Sequence, residues 1–181
     1  LSLEKLTLVA GALSVGIGFG LKSIVENFVS GLILLWERPI RVGDWIVVGP
    51  DEGHVRRISV RATEIETFDR SLVILPNASL ISGVVKNRVR TDRTGRIVIP
   101  VGVRYTAEPE AVRDILEGCA KSHDGVLAVP PPRAYLLKIG DNMLAYELRC
   151  FVPDVEKLMA TSSDLHFAIF NALKDKGIEI A

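Results

Sequence analysis

Leu6-Thr7-Leu8-Val9-Ala10-Gly11-Ala12-Leu13-Ser14-Val15-Gly16-Ile17-Gly18-Phe19-Gly20-Leu21 is a run of sixteen uncharged residues that includes four glycines. As a helix it measures about 24 Å at 1.5 Å per residue, short of the ~30 Å hydrocarbon core of a bilayer. Leu1–Leu3, or residues further upstream, would close that gap. In water each glycine costs a helix roughly 1 kcal/mol relative to alanine. Between helices in a bilayer, small residues let backbones approach closely. The run therefore reads as a membrane-spanning helix rather than the buried helix of a soluble protein. A dinucleotide-binding reading of Gly16-x-Gly18-x-Gly20 fails, because the third glycine of that fingerprint would fall at Leu21 and no strand leads into the segment.

The spacing within the run is specific. Ala12, Gly16 and Gly20 recur every four residues and form one small ridge, and Gly11, Ser14 and Gly18 form a second beside it. Val15 and Phe19, also four apart, place bulky groups between the two. A helix with two small faces can touch a neighbour on each side, as a ring of identical helices requires. The bulky stripe would then face the ring axis. Lys22 and Ser23 interrupt the apolar pattern before Ile24–Trp36, in which Glu26, Asn27 and Ser30 form a narrow polar stripe. That second stretch reads as an interfacial or bundle-lining helix, with a break expected near Lys22-Ser23. Trp36 suits a membrane–water boundary.

The chain has 181 residues, 48% of them apolar, and a mean hydropathy of +0.29. The apolar excess lies in the first fifth: from Leu6 to Trp36 only Lys22 and Glu26 are charged. A net charge of zero conceals +5 over residues 38–104 and −4 over residues 105–181. A basic segment directly after an apolar helix is what the positive-inside tendency expects of a cytosolic flank. Cys119 and Cys150 lie far apart and form no CxxC, which points to free thiols in a reducing compartment. The start has no basic n-region and Leu1 is not an initiator Met, so the sequence is expected to be a piece of a longer chain, cut also after Ile178-Glu179-Ile180-Ala181.

Beyond the helix, Arg38-Pro39 is a stop, since proline lacks a donor and restrains the residue before it. Gly43-Asp44 turns the chain into an alternating strand at Trp45–Val48, and Gly49-Pro50-Asp51-Glu52-Gly53 turns it again. His54–Val60, Ala62–Phe68 and Leu72–Leu75 read as further short strands, with Asp69-Arg70 at a hairpin tip. Short strands joined by close turns predict a small five-stranded barrel. From Ile97 the rhythm changes: strand Ile97–Tyr105, helix Pro109–Ser122, a hairpin of Arg133–Ile139 and Leu144–Val152, and a helix over Asp154–Lys176 stopped by Gly177. Strand–helix–strand–strand–helix–strand is a ferredoxin-like α+β order.

Three stretches together carry a family resemblance: Leu13-Ser14-Val15-Gly16-Ile17-Gly18-Phe19-Gly20-Leu21-Lys22, Asn27-Phe28-Val29-Ser30-Gly31-Leu32, and Glu37-Arg38-Pro39-Ile40-Arg41-Val42-Gly43-Asp44-Trp45-Ile46. With Val73-Ile74-Leu75-Pro76-Asn77 and Asn87, they resemble the MscS-type mechanosensitive channels over essentially the whole chain. The resemblance implies a fragment of a membrane protein in three parts. Residues 1–37 would be the pore-lining transmembrane helix and an interfacial helix, 38–96 an Sm-like β barrel, and 97–181 a ferredoxin-like domain of a cytosolic cage with side portals. It implies a pore constriction at Val15 and Phe19, where the family usually has two leucines. It implies pore-helix packing through Gly11, Ala12, Ser14, Gly16, Gly18 and Gly20. A bend would fall in the region of Lys22, Ser23 and Gly31; the family's kink glycine is matched here by Ser23. Arg38, Pro39, Arg41, Gly43 and Asp44 would join helix to barrel.

The implied protein is a homo-oligomeric ring, seven subunits in the family, in the bacterial inner membrane. It would be multi-pass in its full length, with residues after about 38 cytoplasmic, and would release ions and small solutes on hypo-osmotic shock. The chemistry of the remaining residues offers no competing enzyme. His54, His123 and His166 stand alone, without ligand spacing, and Ser79, Ser82 and Ser122 lack a nucleophile-elbow context. No cofactor, metal or catalytic residue is expected. Arg88, Arg90, Arg93 and Arg96 could track phosphates in an RNA-binding module. That segment carries no aromatic platform for base stacking, so no nucleic-acid partner is expected. Two further readings stay open: a membrane-attached oligomeric scaffold without a pore, and a ligand-modulated channel.

Overall fold

No proline interrupts residues 3–37, and they form one helix, α1 (Leu3–Glu37). The computed structural model describes residues 3–181, so the expected contribution of Leu1 and Ser2 to the span lies outside the described residues. The helix ends where the sequence places its stop. Arg38 takes a left-handed φ of 50°, donates its N–H to Leu34 O at 3.1 Å, and passes the chain to Pro39. No break separates a spanning from an interfacial helix. Lys22 and Ser23 are polar but compatible with the helical ladder, and a change of polarity alone does not interrupt backbone hydrogen bonding.

Contacts divide the chain into two units, residues 1–91 and 92–181. In the first unit, β1 (Trp45–Val48), β2 (Asp51–Ile58), β3 (Ala62–Thr67) and β4 (Leu72–Pro76) precede a short helix, α2 (Asn77–Ser82), and β5 (Val85–Asn87). They pair antiparallel in the order β4-β3-β2-β1-β5. Among the described residues β4 and β5 are not paired with each other, so the five-stranded domain stays open along that seam. The register sets Trp45 opposite His54, Val55 opposite Ile65 and Ile65 opposite Val73. Its period of two turns Ile46, Val55 and Ile65 inward, where they meet Leu80, Ile40 and Leu34. Burying aliphatic side chains of this size contributes about 1.5–3 kcal/mol each. Because Leu34 is one of them, the lower end of α1 is part of the β domain's core.

The second unit contains β6 (Gly95–Val103), α3 (Pro109–Lys121), β7 (Arg133–Ile139), β8 (Leu144–Val152) and α4 (Leu158–Asp175), the last preceded by one 3-10 turn at Val155–Lys157. The sheet order is β6-β8-β7, and Ile180 bridges antiparallel to Val103 on the far side of β6. This is the ferredoxin-like α+β arrangement. Ile97, Ile99, Leu148, Cys150 and Val152 face the helices, which return Val112 and Leu116 from α3 and Leu165, Ile169 and Leu173 from α4. Residues 92–96 join this unit because Arg93 O accepts Val155 N–H at 2.7 Å and the Arg93 guanidinium reaches Asp154 and Glu156. Gly177, at φ 69°, closes α4 by donating to Lys174 O, as its C′ position predicts.

Candidate functional site: an apolar helix seated on the β domain

The first two-thirds of α1 is apolar and free. An 18-residue window of the helix has a mean hydropathy of 1.8, with none of it buried against the rest of the chain. By length and composition it is long and apolar enough to cross a membrane. Val15 and Phe19 are 59% and 76% exposed. Four residues apart, they lie about 40° apart around the axis and about 6 Å along it, one above the other. A Cβ built at Gly11, Gly16, Gly18 or Gly20 meets no atom within 4 Å. The glycines thus open nothing inside this chain; their faces are vacant towards whatever lies alongside. The polar groups on this stretch close onto the helix itself. The Thr7 hydroxyl donates to Leu3 O at 2.9 Å and the Ser14 hydroxyl to Ala10 O at 2.7 Å, which removes the cost of exposing either to lipid.

From Asn27 downward the same helix is held. Asn27 bonds both ways: its Nδ2 donates to Ser23 O at 2.9 Å, and its Oδ1 accepts the N–H of Ala78 at the start of α2, at 3.0 Å. Asn77, fully buried, donates from Nδ2 to Ser59 O at 2.8 Å and accepts on Oδ1 from the Thr63 hydroxyl at 2.9 Å. Its own N–H donates to Arg61 O. That ties the β2–β3 turn to the α2 start. Gly31 lies against this turn so closely that a Cβ would overlap the Val60 carbonyl and come within 2.7 Å of Asn77 Nδ2. Ser30 and Leu34 are buried beside it. Gly31, expected in the bend region, is a seat in a continuous helix.

The junction below is a second lock. Asp44 Oδ2 accepts the Arg41 N–H at 2.9 Å and the Asn87 Nδ2 at 2.6 Å. Gly43, at φ 93°, occupies a region that favours glycine and donates its N–H to Val55 O at 2.8 Å, while Val55 N returns to Asp44 O at 2.9 Å. Arg90 reaches the Pro39 carbonyl at 2.5 Å. Pro39, Arg41, Gly43 and Asp44 are therefore brought together with Asn87, and Arg38 provides the helix end. Lys22 and Ser23 are exposed; Ser23 enters only through its carbonyl, which accepts from Asn27 Nδ2, and it lines a cavity with Asn27, Arg61 and Pro76. Neither α2 nor β5 shows in the sequence as an element. The signals for α2 were Pro76 before the helix and Asn77, whose side-chain amide takes its partners from Ser59 and Thr63.

Two family models match: "Mechanosensitive ion channel, beta-domain" over residues 23–90, and "Mechanosensitive ion channel MscS, C-terminal" over residues 97–180. The chain belongs to the MscS family of mechanosensitive channels. The β-domain match begins inside α1, at Ser23, close to where the helix passes from free to held. Escherichia coli mechanosensitive channel MscK is 41% identical over 180 residues, 99% of this chain and 16% of that protein. The Escherichia coli miniconductance mechanosensitive channel MscM is 34% identical over 177 residues, 98% of this chain and again 16% of its relative. The chain thus spans about a sixth of these family members. Helicobacter pylori MscS, solved in a closed state, superposes with a TM-score of 0.93 at 23% identity, covering all of this chain and 71% of that one. Arabidopsis thaliana MSL1 gives 0.87 at 20% identity, covering all of this chain and 67% of its own. The fold, an apolar helix followed by a β domain and an α+β domain, is shared with both solved structures.

Proposed function

We propose that this chain is the pore-lining helix and cytoplasmic part of a channel subunit that membrane tension opens, releasing ions and small solutes on hypo-osmotic shock. The observation that carries the reading is the division of α1: an unburied apolar upper part bearing Val15 and Phe19, continuous with a lower part fixed into the β domain. A helix so mounted transmits a tilt or rotation at one end into the other without melting between them. In a ring of copies, seven by analogy with the family, the faces of Gly11, Ala12, Ser14, Gly16, Gly18 and Gly20 would touch neighbours. Val15 and Phe19 would then close the axis as a dewetted constriction. Bending at Lys22, Ser23 or Gly31 on opening belongs to the same proposal. The ring would lie in the bacterial inner membrane, with residues after about 38 in the cytoplasm.

Patch-clamp recording of the full-length protein in channel-free membrane tests this directly. Pressure-dependent openings are expected, at lower tension and with a leak at rest for Val15→Asp and Phe19→Asp. Silence up to the lytic tension from a correctly assembled protein would favour a membrane-attached scaffold. Variants at both positions that gate like wild type would move the constriction elsewhere.

A further inference from the structure

The second unit carries a polar cavity of about 530 Å³ between α3 and the edge strand β7, lined by Arg113, Asp114, Glu117, Arg133, Ala134 and Tyr135. Ligand sites commonly have volumes of about 300–1,000 Å³. The carboxylates at this cavity are already committed. Glu117 is nearly buried, and its two oxygens accept from the Ala134 N–H at 3.2 Å and from Lys121 Nζ at 3.1 Å. Asp114 touches only its chain neighbour Arg113, at 3.1 Å, with both groups well exposed. An exposed pair of that kind contributes little and yields to a better partner. Arg133, by contrast, has no carboxylate within 4 Å among the described residues. Arg149, opposite Arg133 on β8, lies 5.4 Å from the centroid of the Tyr135 ring, but it does not line the cavity and its guanidinium is already paired with Glu147.

Arg113 and Arg133 stand in a region, residues 105–181, whose net charge is −4. A diffuse field there repels anions, so the two arginines that α3 and β7 bring to one cavity act as a local site. Guanidinium forks match carboxylate and phosphate oxygens in bidentate geometry. We propose that this cavity binds a small oxyanionic solute, its carboxylate or phosphate group held between Arg113 and Arg133. The site is independent of the pore reading and stands or falls without it.

The experiment is equilibrium titration of the full-length protein in nanodiscs with succinate and, separately, with inorganic phosphate. Ionic strength is held constant with chloride, and binding is read by calorimetry and by the unfolding temperature. Saturable binding of one or both probes is expected; succinate alone identifies a carboxylate site and phosphate alone a phosphate site. Arg133→Gln and Arg113→Gln should each weaken it roughly tenfold, the equivalent of one lost charge-assisted hydrogen bond. Arg133→Lys, which keeps the charge without the fork, should fall between wild type and Arg133→Gln. Arg104→Gln, whose arginine pairs with Glu179 and does not line the cavity, should bind as wild type. Unliganded melting temperatures of the variants separate lost binding from lost folding. Failure of both probes to saturate, or an equal loss in Arg104→Gln, overturns the site.

Discussion

The side-chain carbonyl of Asn27 accepts the backbone N–H of Ala78 at 3.0 Å, joining the middle of α1 to the first turn of α2 across fifty-one positions of sequence. Above this bond none of the described residues of the helix is buried; below it Ser30, Gly31 and Leu34 are packed. The bond is therefore the uppermost tie between the apolar helix and the β domain. Asn27→Leu keeps the helix but leaves the Ala78 N–H unsatisfied, at a cost of about 1–3 kcal/mol. A lower melting temperature of the detergent-solubilised protein is expected, together with a shifted tension threshold in patch recordings. A melt and a threshold both equal to wild type would show that the tie transmits nothing.

Acid should loosen the second unit at identifiable carboxylates. Burial pushes the Glu117 carboxyl up, but hydrogen bonds from Lys121 and from the Ala134 N–H outweigh it and leave the group below the ordinary glutamate range. Asp154 is held low first by the Glu156 N–H that it caps, with Arg93 adding to the effect against a small burial penalty. A carboxyl depressed in the folded state stabilises above its unfolded value, about pH 4, and loses that contribution as pH falls through the folded value. Melting temperature should thus decline from about pH 5 downward. Glu117→Gln and Asp154→Asn, lower at neutral pH, should each show a shallower decline. An unchanged slope in both variants would assign the acid sensitivity to other groups.

The parts of this fold visible in sequence are those with a strong local period or a forced stop. The sixteen uncharged residues, the Pro39 stop, the alternation through Ile46, Val55 and Ile65, and Gly177 after α4 each act within a few residues of themselves. What stayed hidden depends on distant partners. Strand β5 is three residues long and exists because Ile46 pairs with Asn87. Helix α2 has six residues and lies between Asn27 and the β2–β3 turn. The polarity of Lys22 and Ser23 suggested a break, but nothing there removes a helical hydrogen bond. Asn77, Asn87 and Asp44 stand out in the sequence as signature residues; their joint role in seating α1 and its junction arises only in the fold, through partners distant in sequence. The constriction proposed at Val15 and Phe19 would form only between neighbouring copies.

Chemical labelling should distinguish the two cysteines. Cys150 faces the core from β8, opposite Ile97, and burial pushes its thiol up to about 11. At pH 8 only about one molecule in a thousand would then carry the nucleophilic thiolate, and that one has no solvent path. Cys119 on α3 is half-buried and shifted the same way by burial. Maleimide treatment of the native protein, followed by peptide mass mapping, should leave Cys150 unmodified and label Cys119 slowly, with both reacting in denaturant. Rapid native labelling of Cys150 would contradict the packing of the second unit.

Two glycines of one helix should respond oppositely to the same added methyl group. At Gly31 a Cβ meets the Val60 carbonyl and Asn77 Nδ2, backbone and buried amide rather than the loose end of a flexible side chain. Relief would require α1 and the β2–β3 turn to part, so Gly31→Ala should cost about 1–3 kcal/mol as overpacking does. At Gly16 there is nothing within 4 Å, and alanine favours the helix by roughly 1 kcal/mol. Gly16→Ala should therefore leave the β domain intact, and any effect it has must arise between copies of α1. Circular-dichroism melts separate the first effect, and oligomer retention with tension threshold reads the second, most sharply in Gly16→Leu. A Gly31→Ala protein as stable as wild type would show that the seat does not couple helix to β domain. A Gly16→Leu protein with unaltered assembly and threshold would show that the small faces do not build the ring.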